Sequence, residues 1–377
     1  DRVVRCAQAA SRRGERTGVD VARIVYGVSG EGSGHSSRAR EMIGHLASAG
    51  HTVKAASYDR GYRNLASDFD VLEIEGLHIR SVDNKISVVE TFADNLSRLS
   101  DGIRKLSELR TLFHEFEPDC VITDFEPMTA YLANHYELPL ITIDNQHRMR
   151  YIDYEKPPHS EVDAQATKTI IRAMVPRPDV SLVTAFCFGE TRNDRTFLFP
   201  PILRRAVLDK QPSVGGHILV YMTSGFDSCL DELREFVRES FLVYGYDRTE
   251  VDGPLTFRPF SRNGFLDDLA SAKAVIATAG FTLISEAICL RKPYLAMPMQ
   301  GQFEQELNGF QLGRLGYGKS VAEVDRESIG DFLYRLPDYR EQLEEYQPGD
   351  NSEIKAKLDE LLADDCLVVR RFHESRS

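Results

Sequence analysis

"GVSGEGSGHSSRAREMIGHLASAGH", residues 27–51, follows the apolar run "ARIVYGV" and carries two patterns in succession. Its first half is a loop of glycines and serines around Glu31. Its second half places Ala39, Met42, Ile43, Leu46 and Ala47 on one helical stripe, with Gly50 as the stop. An apolar run, a glycine turn and an amphipathic helix make a strand–helix unit, and "HTVKAAS" after it reads as the next strand. Strands joined through helices form parallel sheets.

The same alternation continues outward. "FDVLEI", "PDCVITD" ending at Asp124, "LPLITIDNQH", "VSLVTAF" and "TFLFPP" read as strands, with a long helix over 99–116. Pro200 and Pro201 halt the pattern, "ILRRAVLDKQPSVGG" reads as a crossover, and the alternation restarts with "HILVYMTSG". "FLVYGYD", "LTFRPF", "AVIATAG" and "PYLAMPM" follow as strands, and acidic helices fill 325–364. The expected fold class is α/β, with two Rossmann-like, doubly wound parallel-sheet domains facing a cleft. The boundaries fall at 21–203 and 217–364, with a linker at 204–216, a basic arm at 1–20 and a basic tail at 365–377. Residues 83–95 and 147–165 read as variable loops. In such sheets ligands bind beyond the carboxyl ends of the strands.

A chain of 377 residues suits two domains of ordinary size, and a net charge of −12 argues against nucleic acid as the main partner. The six cysteines are scattered without a CxxC pair, and Cys120, Cys187 and Cys289 lie in apolar runs. That usage points to reduced thiols in a cytoplasmic compartment and to no zinc site. No run of about eighteen apolar residues suggests a membrane span. The arm at 1–20 contains "RRGER" and lacks an apolar centre, so no secretory signal is expected.

The opening loop fails as a dinucleotide fingerprint. After Gly30 and Gly32, His35 occupies the place of the third glycine, although Asp59 would stand where a ribose-binding acid is wanted. No Gly-Lys-Ser/Thr follows, which excludes a phosphate-binding P-loop. The remaining use is close approach of backbone to an anionic or sugar ligand at a helix N-terminus, with His35 as proton acceptor.

A second constellation lies in "AVIATAGFTLISEAICLRKPYLAMPMQGQFEQELN", residues 274–308. A strand runs into Ala279 and Gly280, and small residues with a hydroxyl open the next helix, which suits a diphosphate. Glu286 sits about a turn into that helix, placed to accept from ribose hydroxyls. Gln300, Gln302, Glu304, Gln305 and Asn308 offer the mixed donors and acceptors that a polyhydroxylated ligand needs.

These two stretches together resemble the glycosyltransferases with two Rossmann-like domains, the GT-B fold. The similarity is closest to the branch containing the N-acetylglucosaminyltransferase that forms peptidoglycan lipid II. "GEGSGHSSR" resembles the G-x-G-H-x-x-R first loop of related enzymes, with His35 and Arg38 in register. The resemblance implies donor contacts from Thr223, Ser224 and Gly225, from Arg258 and Phe260 near the base, and from Gly280, Phe281 and Thr282 at the diphosphate. It implies Glu286 at the ribose, Glu304 and Gln305 at the donor sugar, and Gly32, Gly34, Arg38 and His147 on the acceptor side.

It further implies an inverting, metal-independent transfer from a nucleotide-diphosphate sugar, with UDP as the expected carrier, to an acceptor hydroxyl. Helix N–H groups would stabilise the departing diphosphate. His35 is the first candidate base, Asp124 the second and His147 the third. No cofactor beyond the nucleotide-sugar co-substrate is expected, and the acceptor is a glycan, a lipid-linked molecule or a small molecule. A lipid-linked acceptor would place the enzyme at the inner face of a membrane as a peripheral protein. The competing readings are a sugar-nucleotide epimerase or hydrolase on the same fold, and a non-catalytic nucleotide-sugar binder.

Overall fold

The computed structural model describes residues 21–76, 81–82, 85–86, 99–222, 227–246 and 248–375. The first domain runs β1 (Arg23–Val28), α1 (Gly34–Ser48), β2 (Thr52–Ser57), α2 (Asp59–Leu65), β3 (Val71–Glu73), β4 (Ser81–Val82), β5 (Lys85–Ile86) and α3 (Leu99–Phe116). It continues through β6 (Cys120–Asp124), α4 (Pro127–His135), β7 (Leu140–Asp144), α5 (Arg148–Tyr151), α6 (Glu161–Met174), β8 (Val180–Thr184) and β9 (Thr196–Phe199). Its main sheet has the order β3-β2-β1-β6-β7-β8-β9, parallel throughout.

After α7 (Arg205–Leu208), the second domain comprises β10 (His217–Tyr221), α8 (Asp227–Arg234), β11 (Ser240–Tyr244), β12 (Val251–Asp252), β13 (Leu255–Phe257) and α9 (Arg262–Ser271). Then come β14 (Ala274–Thr278), α10 (Phe281–Cys289), β15 (Tyr294–Met297), α11 (Phe303–Arg314), β16 (Gly318–Ser320), α12 (Arg326–Tyr334), α13 (Leu336–Glu344) and α14 (Ser352–Glu374). The second sheet is β12-β13-β11-β10-β14-β15-β16, parallel except for the edge strand β12.

Both sheets are covered on two faces, which is why their central strands are apolar runs rather than alternating ones. One core, built on Ile24, Tyr26, Met42, Ile122 and Ile141, lies on one face of the first sheet, and another on Val25, Leu109, Val121 and Leu140 lies on the other. The second sheet repeats the plan with Val275, Ile284 and Ile288 on one face, and Ile218, Phe241 and Phe332 on the other. Among the described residues no helix is long and apolar enough to cross a membrane.

Three expectations need correction. The tail at 365–377 is not a separate appendage: α14 carries Ile354, Leu358, Leu361, Cys366 and Val369 into the first domain's core. The expected boundary at 364 falls at its kink, where Asp364, Asp365 and Cys366 all have positive φ. The supposed loop at 147–165 contains α5 and the start of α6, because a four-residue helix leaves too short a periodicity to see in sequence. Within the supposed loop 83–95, Lys85 and Ile86 pair with Ser81 and Val82 in a small hairpin, and the remainder lies outside the described residues.

Candidate active site

Strand register brings the catalytic candidates together. Val28 pairs with Asp124, so the loop leaving β1 and the end of β6 meet at the carboxyl edge of the first sheet. The loop turns there because Gly30 passes the Tyr58 carbonyl, where a Cβ would come within 2.3 Å of the oxygen. Helix α1 then starts at Gly34, and the spacing of three puts His35 and Arg38 on one face.

Asp124 is fully buried and saturated. Its Oδ2 accepts from Arg38 Nε at 2.6 Å and its Oδ1 from Arg38 Nη2 at 2.5 Å, while His35 Nδ1 lies 2.6 Å from Oδ1. A carboxylate only accepts, so the 2.6 Å contact requires a proton on Nδ1, and Nε2 is the nitrogen free to face a ligand. The His35 side chain is 12% exposed, enough to reach the cleft. Asp124, the second candidate base, is thereby corrected: both oxygens are engaged behind His35, and it orients the imidazole instead of facing an acceptor. Burial opposes the charge of Arg38, but Asp124 beside it raises the guanidinium pKa above its ordinary value.

His147 is corrected as well. It is fully buried, with Nδ1 2.7 Å from Asp144 Oδ2 and its ring stacked on Tyr151 at 5.6 Å. Against the penalty of burial, His147 and Arg38 hold the Asp144 carboxyl below the usual range. A histidine enclosed in this way does not present a nitrogen to an acceptor. Arg38, 5% exposed, likewise stands behind His35 rather than on the acceptor surface.

The cleft is bridged from both sides. Arg38 Nη1 donates to Asn145 Oδ1 at 2.8 Å, and Asn145 Nδ2 donates to Glu304 Oε1 of the second domain at 2.8 Å. Gln146 makes the parallel link to Glu304 Oε2 at 3.1 Å. Thus Glu304, expected at the donor sugar, is joined to the His35 network through Asn145 and Gln146. Gln305 secures the turn before α11, accepting from Met299 N at 3.1 Å and donating to Gln302 Oε1 at 2.8 Å.

At the facing edge, Gly280 is the N-cap of α10 and no described side chain caps that helix. Its N–H groups are oriented for an anion. Thr282 packs on Gly34, whose absent Cβ would stand 2.5 Å from Thr282 Oγ1, so this glycine lets the two domains touch beside His35. Phe281 offers only its backbone, because its ring is buried on Phe186 at 5.7 Å. Arg258 pairs with Asp268 at 2.5 Å, and Phe260 is 57% exposed. Thr223, Ser224 and Gly225 lie outside the described residues. Glu286 is 4% exposed, with both oxygens held by Arg204 at 2.8 Å each.

Sequence reasoning passed over Asn145 and Gln146 as functional residues, although "DNQH" at a strand's carboxyl end is the polar run that signals them. Arg204 carries no such signal, since its partner is 82 residues away.

Two doubly wound sheets whose carboxyl edges meet across a cleft define the GT-B fold. The chain is similar over 91% of its length to the spinosyn forosaminyltransferase SpnP, at a TM-score of 0.61 with 15% identity and 100% of that chain covered. It is also similar over 94% to the glycosyltransferase VinC in complex with DTDP, at a TM-score of 0.59 with 16% identity and 100% coverage. An uncharacterized glycosyltransferase of Methanosarcina acetivorans is 25% identical over 355 residues, 83% of this chain and 91% of that protein. Residues 22–337 match glycosyl transferase family 1. The protein belongs to that family and is a glycosyltransferase, which implies a nucleotide-sugar donor and an acceptor.

Proposed function

We propose that the protein moves a sugar from a UDP-linked donor to an acceptor hydroxyl with inversion and without a metal ion, as a relative of the lipid II-forming branch. The observation that carries this reading is the His35 imidazole, held by Asp124 at 2.6 Å beside the uncapped N-terminus of α10. The acceptor oxygen attacks the anomeric carbon while the bond to the diphosphate breaks, its electron pair leaving on the diphosphate oxygen. The acceptor proton passes to His35 Nε2. The N–H groups of α10 stabilise the departing charge, and Glu304 with Gln305 orients the donor sugar. Thr223, Ser224 and Gly225 would complete the diphosphate cradle, with Arg258 and Phe260 beside the base.

Ribose binding to Glu286 requires exchange with Arg204, whose side chain is 25% exposed. The acceptor would bind on the first domain, at the inner face of a membrane if it is lipid-linked. Calorimetric titration with UDP, dTDP and a panel of their sugars tests the donor, the thymidine series being included because VinC holds DTDP. Tight UDP binding supports the reading, and the absence of binding by any nucleotide sugar overturns it. Turnover of the donor without acceptor would instead indicate a hydrolase or epimerase.

A further inference from the structure

Arg38 touches both members of the His35–Asp124 pair. Its Nη2 lies 2.8 Å from His35 Nδ1 as well as 2.5 Å from Asp124 Oδ1. Because Nδ1 carries the proton that binds Asp124, this approach is a cation set against the imidazole rather than a hydrogen bond to it. Two effects then act in one direction: Arg38 neutralises the carboxylate that would favour an imidazolium, and it opposes a positive ring directly. We propose that Arg38 is a positioning residue: by neutralising Asp124 and standing against the ring, it opposes protonation of the His35 imidazole and so keeps Nε2 open to the acceptor's proton.

The other charged groups around the ring support this assignment. Glu126 is turned away, capping α4 through Met128 N and Thr129 N at 2.8 and 2.7 Å. Asp144 is spent on His147, and Tyr26 beneath the pair is fully buried. Glu304 reaches the network only through Asn145 and Gln146. Those two amides, accepting from Arg38 at 2.8 and 3.4 Å, hold the guanidinium in place against Asp124. Without Arg38, Asp124 would stand buried, unneutralised and in contact with His35. The pair would then take up a proton at higher pH, shared between the two groups.

The inference rests on His35 being the base, but its test does not. The His35 titration is followed by side-chain NMR, the signal being assigned by its loss in His35→Gln. Arg38→Met should raise the apparent pKa by about 1 to 2 units. Arg38→Lys, which keeps a cation but not the two-pronged geometry, should raise it by less. Asp124→Asn should lower it, and the double variant Arg38→Met with Asp124→Asn, charge-neutral and similar in volume, should return close to wild type. The acid limb of the kcat/KM profile should move with the NMR value in Arg38→Lys. An unshifted His35 in Arg38→Lys and in Arg38→Met, or a double variant that keeps the Arg38→Met shift, overturns the proposal. Retained transfer in His35→Ala would overturn the base assignment alone and leave the NMR result to stand.

Discussion

At the carboxyl edge of the first sheet, Asp124, Arg38, Asp144 and His147 are each no more than 5% exposed and are bound in two pairs, Arg38 to Asp124 and His147 to Asp144. At the facing edge of the second sheet, Arg258 and Phe260 stand 43% and 57% exposed, and Gly280 has open space where a side chain would be. One edge satisfies its charges internally, while the other keeps backbone donors that a ligand must complete. On the proposed function the contrast separates chemistry from binding: the first edge would be preorganised and cost nothing to align at the moment of reaction, whereas the second would be finished by the donor. Variants at the two edges should therefore fail differently.

The largest effect is expected from His35→Ala. Removing a general base costs about 10²- to 10⁴-fold in turnover. Affinity for the nucleotide sugar, measured by calorimetry, should stay within about twofold, because no α10 donor is touched. Loss of donor affinity in this variant would erase the distinction between the edges.

Gly34→Ala tests the place where the edges meet. The added methyl would lie 2.5 Å from Thr282 Oγ1, so the interdomain contact beside His35 must shift to admit it. Displacement on the order of 1 Å costs up to about 10²-fold, so a fall of about 10- to 100-fold in kcat is expected. Thr282→Ala removes the obstructing oxygen and should restore much of that loss in the double variant. A Gly34→Ala enzyme with full kcat would show that closure does not pass through this contact.

Glu286→Gln concerns the second edge alone. If Glu286 accepts from the ribose, losing a hydrogen bond to a charged group weakens binding by about 1.5 kcal/mol, or roughly tenfold in Kd for UDP. The kcat at saturating donor should change little. An unchanged Kd would leave Glu286 as a strut that ties α10 to Arg204 across the linker.

The two edges also differed in how far they could be read from sequence. The fold was legible because parallel strands buried on both faces leave apolar runs, and the glycine turn after β1 marks the site end of the sheet. His35 and Arg38 were legible as a pair through the resemblance of the first loop to G-x-G-H-x-x-R. What stayed hidden was partnership across distance: nothing local shows that Asp124 turns inward to Arg38, that Asn145 reaches Glu304 over 159 residues, or that Glu286 is held by Arg204. His147 misled because a polar residue after a strand looks available, and only the packing of Tyr151 and Asp144 around it shows that it is enclosed.

The smallest effect sharpens the contrast in buried charge. Lys292, in the turn after α10, is 2% exposed and its ammonium rests on the Ser213 carbonyl, with no carboxylate bound to it among the described residues. Burial, reinforced by Arg340, brings its pKa down to about 8. Below pH 8 both the folded and unfolded chains hold the proton, and folding carries the penalty of the buried charge. Between pH 8 and the unfolded lysine value of about 10.4, the folded state has released the proton while the unfolded state keeps it, so stability rises with pH. Lys292→Met removes that group. The wild-type Tm minus the variant Tm should therefore increase between about pH 8 and 10, with little slope from pH 6 to 7.5. A flat difference across the window would mean that the Ser213 carbonyl compensates the charge as fully as Asp124 compensates Arg38, and the second domain would then handle buried charge no differently from the first.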